Sequence, residues 1–122
     1  MHLPKKRSTT SRLDPWPPAQ ATKLIWAKAN DADFTICWTD HARDQMRERD
    51  LIMGDVLYVL QKGYIYEEGE PATRTGLYKY EMESKTPNST NRTVRVIAIP
   101  SPQSCEVKIA SVMWADEAIQ SS

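Results

Sequence analysis

The residues best equipped for chemistry fall in one run, His41-Ala42-Arg43-Asp44-Gln45-Met46-Arg47-Glu48-Arg49. It holds an imidazole, which can give or take a proton near neutral pH, and guanidiniums, which bind phosphate through forked hydrogen bonds. Thr39 and Asp40 ahead of it are N-cap types, and the run lacks Gly, Pro and β-branched side chains, so it predicts a helix. At about 100° per residue, Ala42, Met46 and Arg49 fall nearly on one line, which makes Arg49 semi-buried. Arg43, Arg47 and Asp44 sit more outward, and Asp44 with Arg47 forms an ordinary surface pair. His41 lies in the first turn, beside free N–H groups and the positive end of the helix dipole. Two readings stay open for each residue: His41 bonds to backbone or acts as acid or base, and Arg49 bonds strand-end carbonyls or holds phosphate.

The flanking segments must position that helix. Residues 1–19 are basic, Ser/Thr-rich and punctuated by Pro4, Pro15, Pro17 and Pro18, which predicts a flexible tail. Residues 20–118 are read as a single domain. A short helix is expected from Ala19 to Asn30, and Phe34-Thr35-Ile36-Cys37-Trp38 reads as a strand with Phe34, Ile36 and Trp38 on one face. After the His41 helix, Gly54 or Asp55 caps another, with Val56, Leu57, Val59 and Leu60 at its core positions, and Gly63 ends it. Strand character then returns at Tyr64 to Glu67, Gly76 to Glu83, Thr93 to Ile99 and Cys105 to Trp114. Polar turns at Ser84 to Asn91 and Pro100 to Ser104 make consecutive strands antiparallel neighbours. The order predicts an α+β domain, helices packed on one face of a mainly antiparallel four- to five-stranded sheet. In Thr93 to Ile99, Val94, Val96 and Ala98 alternate with Arg95, Ile97 and Ile99, so the Arg95 face is the polar one.

Composition narrows the function classes. With 122 residues, 40% hydrophobic and 26% charged, the chain can build one core, and a single domain rather than a multidomain enzyme is expected. Sixteen basic and sixteen acidic side chains cancel, so no global field draws nucleic acid or a membrane surface, and any anion site must be local. The first 13 residues carry Lys5, Lys6, Arg7 and Arg12 and no acid, which leaves a negative body. Apolar runs are far short of a membrane span, and a cytoplasmic protein is expected. Cys37 and Cys105 lie in separate apolar runs without metal-ligand spacing and read as two buried reduced thiols; no metal and no cofactor is expected.

The stretch Thr39-Asp40-His41-Ala42-Arg43, continuing to Met46-Arg47-Glu48-Arg49-Asp50-Leu51, then Val56 and the later strands, resembles the domain-of-unknown-function 4258 family. Its pattern is a His-Ala-Arg opening and a Met-Arg-Glu-Arg continuation, usually with Gly where this chain has Asp50. The likeness covers roughly Phe34 to Trp114. Members resemble bacterial toxins of the RelE-like and MqsR-like kind, which implies a RelE-like fold and a metal-independent endoribonuclease held inactive by a cognate antitoxin. In that chemistry the RNA 2′-hydroxyl attacks the adjacent phosphate, aided by a base, an acid and cations.

Carried over by position, His41 matches the motif histidine, as acid or base, and Arg49 the motif arginine, as phosphate ligand. Arg95 and Tyr80 complete the expected catalytic set in a shallow groove between helix and sheet, and Arg43, Arg47, Lys79 and Arg92 are expected to bind RNA. Against an active nuclease stand the zero net charge and Glu67, Glu68, Glu70, Glu81 and Glu83, which repel a phosphate backbone. The alternative is a non-catalytic protein-interaction module that retains the fold; a third reading confines nucleic-acid binding to the basic tail. An exposed sheet edge also predicts a partner, either a bound antitoxin or a second copy forming a homodimer.

Overall fold

The computed structural model describes residues 15–117. Residues 1–14 of the expected tail, with all four of its basic side chains, therefore lie outside the described residues. Trp16 is already packed: its backbone N–H donates to the Tyr80 hydroxyl at 2.8 Å and its ring stacks on Tyr80. The folded body thus begins by Trp16, ahead of the boundary at 19/20 expected from composition.

The elements run α1 (Pro18–Ala29), β1 (Thr35–Trp38), α2 (Asp40–Glu48), α3 (Met53–Lys62), β2 (Tyr64–Ile65), β3 (Glu70–Pro71), β4 (Tyr78–Lys85), β5 (Thr93–Pro100) and β6 (Glu106–Trp114). Over the described residues the protein is α+β, three helices with a mostly antiparallel open sheet of six strands, more than the four to five expected, in the order β1-β6-β5-β4-β2, with β3 pairing with the start of β4. The expected meander is present as β2-β4-β5-β6. β1 joins it in parallel on β6, as an edge strand. Sequence alternation had identified the strand but could not assign its direction, since direction depends on where the intervening helices return the chain.

Alternation in β5 is strict: Val94, Val96, Ala98 and Pro100 are buried and the residues between them are half-buried. Together with Met82, Tyr80, Val107, Ile109 and Val112 they form the sheet's contribution to the core, on which Ile25 of α1 and Val56, Val59 and Leu60 of α3 close. Ile109 and Val112 are three residues apart yet both face inward, because a bulge at Ala110 inserts one residue opposite the Ile97/Ala98 step of β5. Gly63 does not end α3 through a left-handed turn; its φ is −80°, and a Cβ there would lie 2.7 Å from both the Glu83 and Val59 carbonyl oxygens. Glycine is required by close backbone approach. The cysteines also depart from expectation, since Cys37 is exposed and Cys105 half-exposed, both as free thiols. Among the described residues, no helix is long and apolar enough to cross a membrane.

Candidate functional site

β1 pairs with β6 only as far as Ile109, and α2 takes over the edge beyond it. Thr39, the N-cap, accepts from the Ala42 N–H and donates its hydroxyl to the Ile109 carbonyl at 2.8 Å. One turn later the Gln45 side-chain oxygen accepts from the Val112 N–H, replacing a missing strand partner. Ala42 and Met46 are buried and Arg49 follows on the same line with 21% of its side chain exposed, as the helical spacing requires. Arg43 and His41 are exposed, and Arg47 pairs with Asp44 on the surface.

α2 terminates at Arg49 with Asp50 left-handed at φ 56°. The Leu51 N–H donates to the Met46 carbonyl and the Asp50 N–H to the Arg47 carbonyl, while Leu51 and Met46 are both buried. This is the Schellman termination, in which glycine is ordinarily favoured. It turns the chain so that Arg49 projects toward the far end of β6. There Arg49 Nε donates to both Glu117 carboxylate oxygens at 2.9 and 3.0 Å, and Nη2 donates to Oε2 at 2.6 Å. Those hydrogen bonds raise the guanidinium pKa and hold the Glu117 carboxyl below its ordinary range. Glu117 also accepts from the Trp114 N–H, so residues 115–117 form a short turn closing the strand.

Arg92, at the end of the β4–β5 loop, reaches the same place. It donates to Asp116 at 2.9 Å, and its guanidinium carbon lies 4.0 Å from the centre of the Trp114 ring. Arg49, Asp50, Asn88, Ser89, Thr90, Arg92 and Trp114 line an open cleft of about 410 Å³. The three non-glycine residues with positive φ among those described, Asp50, Thr90 and Asn91, lie in its wall or next to it. A β-branched Thr at φ 53° is costly and persists only where its surroundings impose it. Thr90 and Asn91 are the two central residues of a turn closed by the Arg92 N–H on the Ser89 carbonyl, and the loop ahead of it is anchored by the buried Asp55 of α3, which accepts from the Ile52 N–H, the Thr86 hydroxyl and the Asn88 amide. Ser89, also buried, locks onto Thr86 through two further hydrogen bonds. Gly54 and Asp55, the two expected caps for α3, both sit inside the helix, which Ile52 caps, and Asp55 reaches back from the third position.

The structure brings Arg49 and Arg92 together, and leaves the other expected residues elsewhere. Tyr80 and Arg95 cannot share a groove. The register pairs Tyr80 with Ala98 and Glu83 with Arg95, so the tyrosine points into the core and the arginine out of the opposite face. Tyr80 is 2% exposed, its hydroxyl receives the Trp16 N–H, and burial raises its pKa. Arg95 is held between Glu83 at 2.7 Å and Glu81 at 3.8 Å. Lys79 lies on that outer face too, in a concavity of about 670 Å³ walled by Glu67, Glu68, Glu70 and Glu81. His41 is in the first turn of α2 and Arg49 is its C-cap, about 12 Å away along the axis. Trp114, Asp116 and Glu117 were missed as site residues: Trp114 reads as core from its strand, and nothing local in the sequence links Glu117 to Arg49. No cluster of three His, Cys, Asp or Glu side chains suited to a metal ion occurs among the described residues.

The family model for a domain of unknown function, DUF4258, matches residues 38–114, from the end of β1 to Trp114. No curated protein and no solved structure matches the chain.

Proposed function

Since the chain belongs to the DUF4258 family, whose matched span contains all of α2, Arg92 and Trp114, we propose that it is a toxin-like, RelE-like domain directed at RNA. In this reading it cleaves single strands without metal by 2′-hydroxyl attack. The observation that carries the proposal is the convergence of Arg49, Arg92 and Trp114 in one cleft held by left-handed backbone. Two guanidiniums bind phosphate and an indole offers a face on which a base can stack. His41, exposed at the opposite end of α2, is the proposed acid or base. Its separation from Arg49 means that the two residues serve different phosphates, with the cleft positioning the strand rather than stabilising the scissile group. A cognate antitoxin is the proposed protein partner.

The test is cleavage of mixed-sequence RNA in EDTA by the full chain, His41→Ala and Arg92→Ala, at equal folded fraction. Loss of general acid–base catalysis should slow His41→Ala by roughly 100-fold or more. Arg92→Ala should weaken RNA binding with a smaller change in the cleavage step. Metal-free cleavage indifferent to His41→Ala, or none at all, overturns the nuclease assignment. A second reading, the non-catalytic interaction module, is favoured by the carboxylate pairing of Arg47, Arg49, Arg92 and Arg95 and by the acidic outer face. Stable RNA binding without cleavage separates RNA recognition from catalysis; capture of a defined antitoxin without RNA binding favours the module.

A further inference from the structure

The contacts of Asp116 and Glu117 have the form that a bound anion would take. Two carboxylates from one short turn meet two guanidiniums from separate elements, and Glu117 is gripped by the Arg49 fork as a phosphate would be. We infer that Arg49 and Arg92, at the border of this cleft, form a nucleotide-phosphate site whose guanidiniums are occupied by the chain's own Asp116 and Glu117, and that RNA enters by displacing residues 115–117 from the two arginines. The ligand class rests on the RNA reading above; the self-occupied anion site does not.

Exchange is physically inexpensive. The Arg92–Asp116 pair is largely in water, with 46% and 67% of the two side chains exposed, so breaking it forfeits little. The Arg49–Glu117 pair is stronger, but an incoming phosphate restores the same forked contact. Residues 115–117 follow the last strand, and moving them releases the Trp114 N–H from Glu117 without breaking any pairing between β5 and β6. The opposite wall stays put, since Asp55 and Ser89 anchor the loop carrying Thr90 and Arg92. Arg92 now covers the Trp114 ring; once it turns to a phosphate, that ring is open to a base.

The experiment measures binding of inorganic pyrophosphate and of a mixed-sequence RNA hexamer to the full chain and to Asp116→Asn/Glu117→Gln, at one low salt concentration. Glutamine retains an oxygen for the Trp114 N–H. Removing the competing charges should tighten both probes about 10-fold, and adding Arg92→Gln should abolish the gain. A gain for pyrophosphate alone leaves the self-occupied site standing and overturns its assignment to RNA. No gain for either probe, in a variant that melts like the parent, overturns the inference. The unmodified chain gives an independent check: pyrophosphate must shift the Arg49 and Arg92 Nε–H resonances, and saturation without movement of either also overturns it.

Discussion

Two side-chain networks grip the β4–β5 loop at its two ends, and they differ in what water can reach. At the start of the loop Asp55 is 2% exposed and accepts three hydrogen bonds, with Thr86 and Ser89 buried beside it. At the end, Arg92 and Asp116 meet in the open. A buried, satisfied carboxylate fixes a structure because breaking any bond strands a donor in the core; an exposed pair exchanges partners with solvent or ligand. The first network makes the shape of the cleft and the second leaves its contents replaceable.

The sharpest way to break that contrast is Asp55→Ala. It orphans the Ile52 N–H and the Thr86 hydroxyl and should lower stability by about 3 kcal/mol in urea unfolding. Asp55→Asn, which keeps the shape and one acceptor, should lose less. If Asp55→Ala costs no more than Asp116→Asn, the division into fixed frame and replaceable contents is wrong.

Glu117→Gln comes next, at roughly 1.5 kcal/mol, because it weakens a forked, charge-assisted contact between partly buried groups. Its pH dependence has a definite sign. The folded-state carboxyl pKa is depressed by Arg49, so the stabilisation is fully present above the ordinary carboxylate range and is lost as pH falls through the folded value. The parent's advantage over Glu117→Gln in thermal unfolding should therefore be flat near neutrality and shrink in acid. An advantage independent of pH would assign Glu117 a packing role.

The same contrast explains which parts of the molecule were legible in the sequence. Local periodicity carried α2, where Ala42, Met46 and Arg49 line up, and β5, where Val94, Val96 and Ala98 face the core. It also anticipated the Asp44–Arg47 surface pair. Tyr80 and Arg95 failed as groove partners because alternation sets Tyr80 on the Met82 face of β4 and Arg95 opposite Val94 and Val96 in β5, and the β4–β5 register puts those two faces on opposite sides of the sheet. The bulge at Ala110 left a trace in the odd spacing of Ile109 and Val112. Glu117 left none, since its contact with Arg49 spans 68 residues and is made by the fold.

A smaller effect tests the junction between motif and cleft. Asp50 is left-handed and exposed, in the position where the helix termination favours glycine. Asp50→Gly should relieve local strain and raise stability by about 0.5 kcal/mol after the entropic cost of glycine. The surface pair is the reference point: Arg47→Ala, removing a contact between two exposed side chains, should change stability by only about 0.3 kcal/mol. Thermal unfolding of both variants beside the parent decides the matter. If Asp50→Gly destabilises, the Asp50 side chain contributes an interaction at the cleft wall that outweighs its backbone strain. The residue would then belong with Arg49 and Arg92 as part of the site rather than with the helix end that presents them.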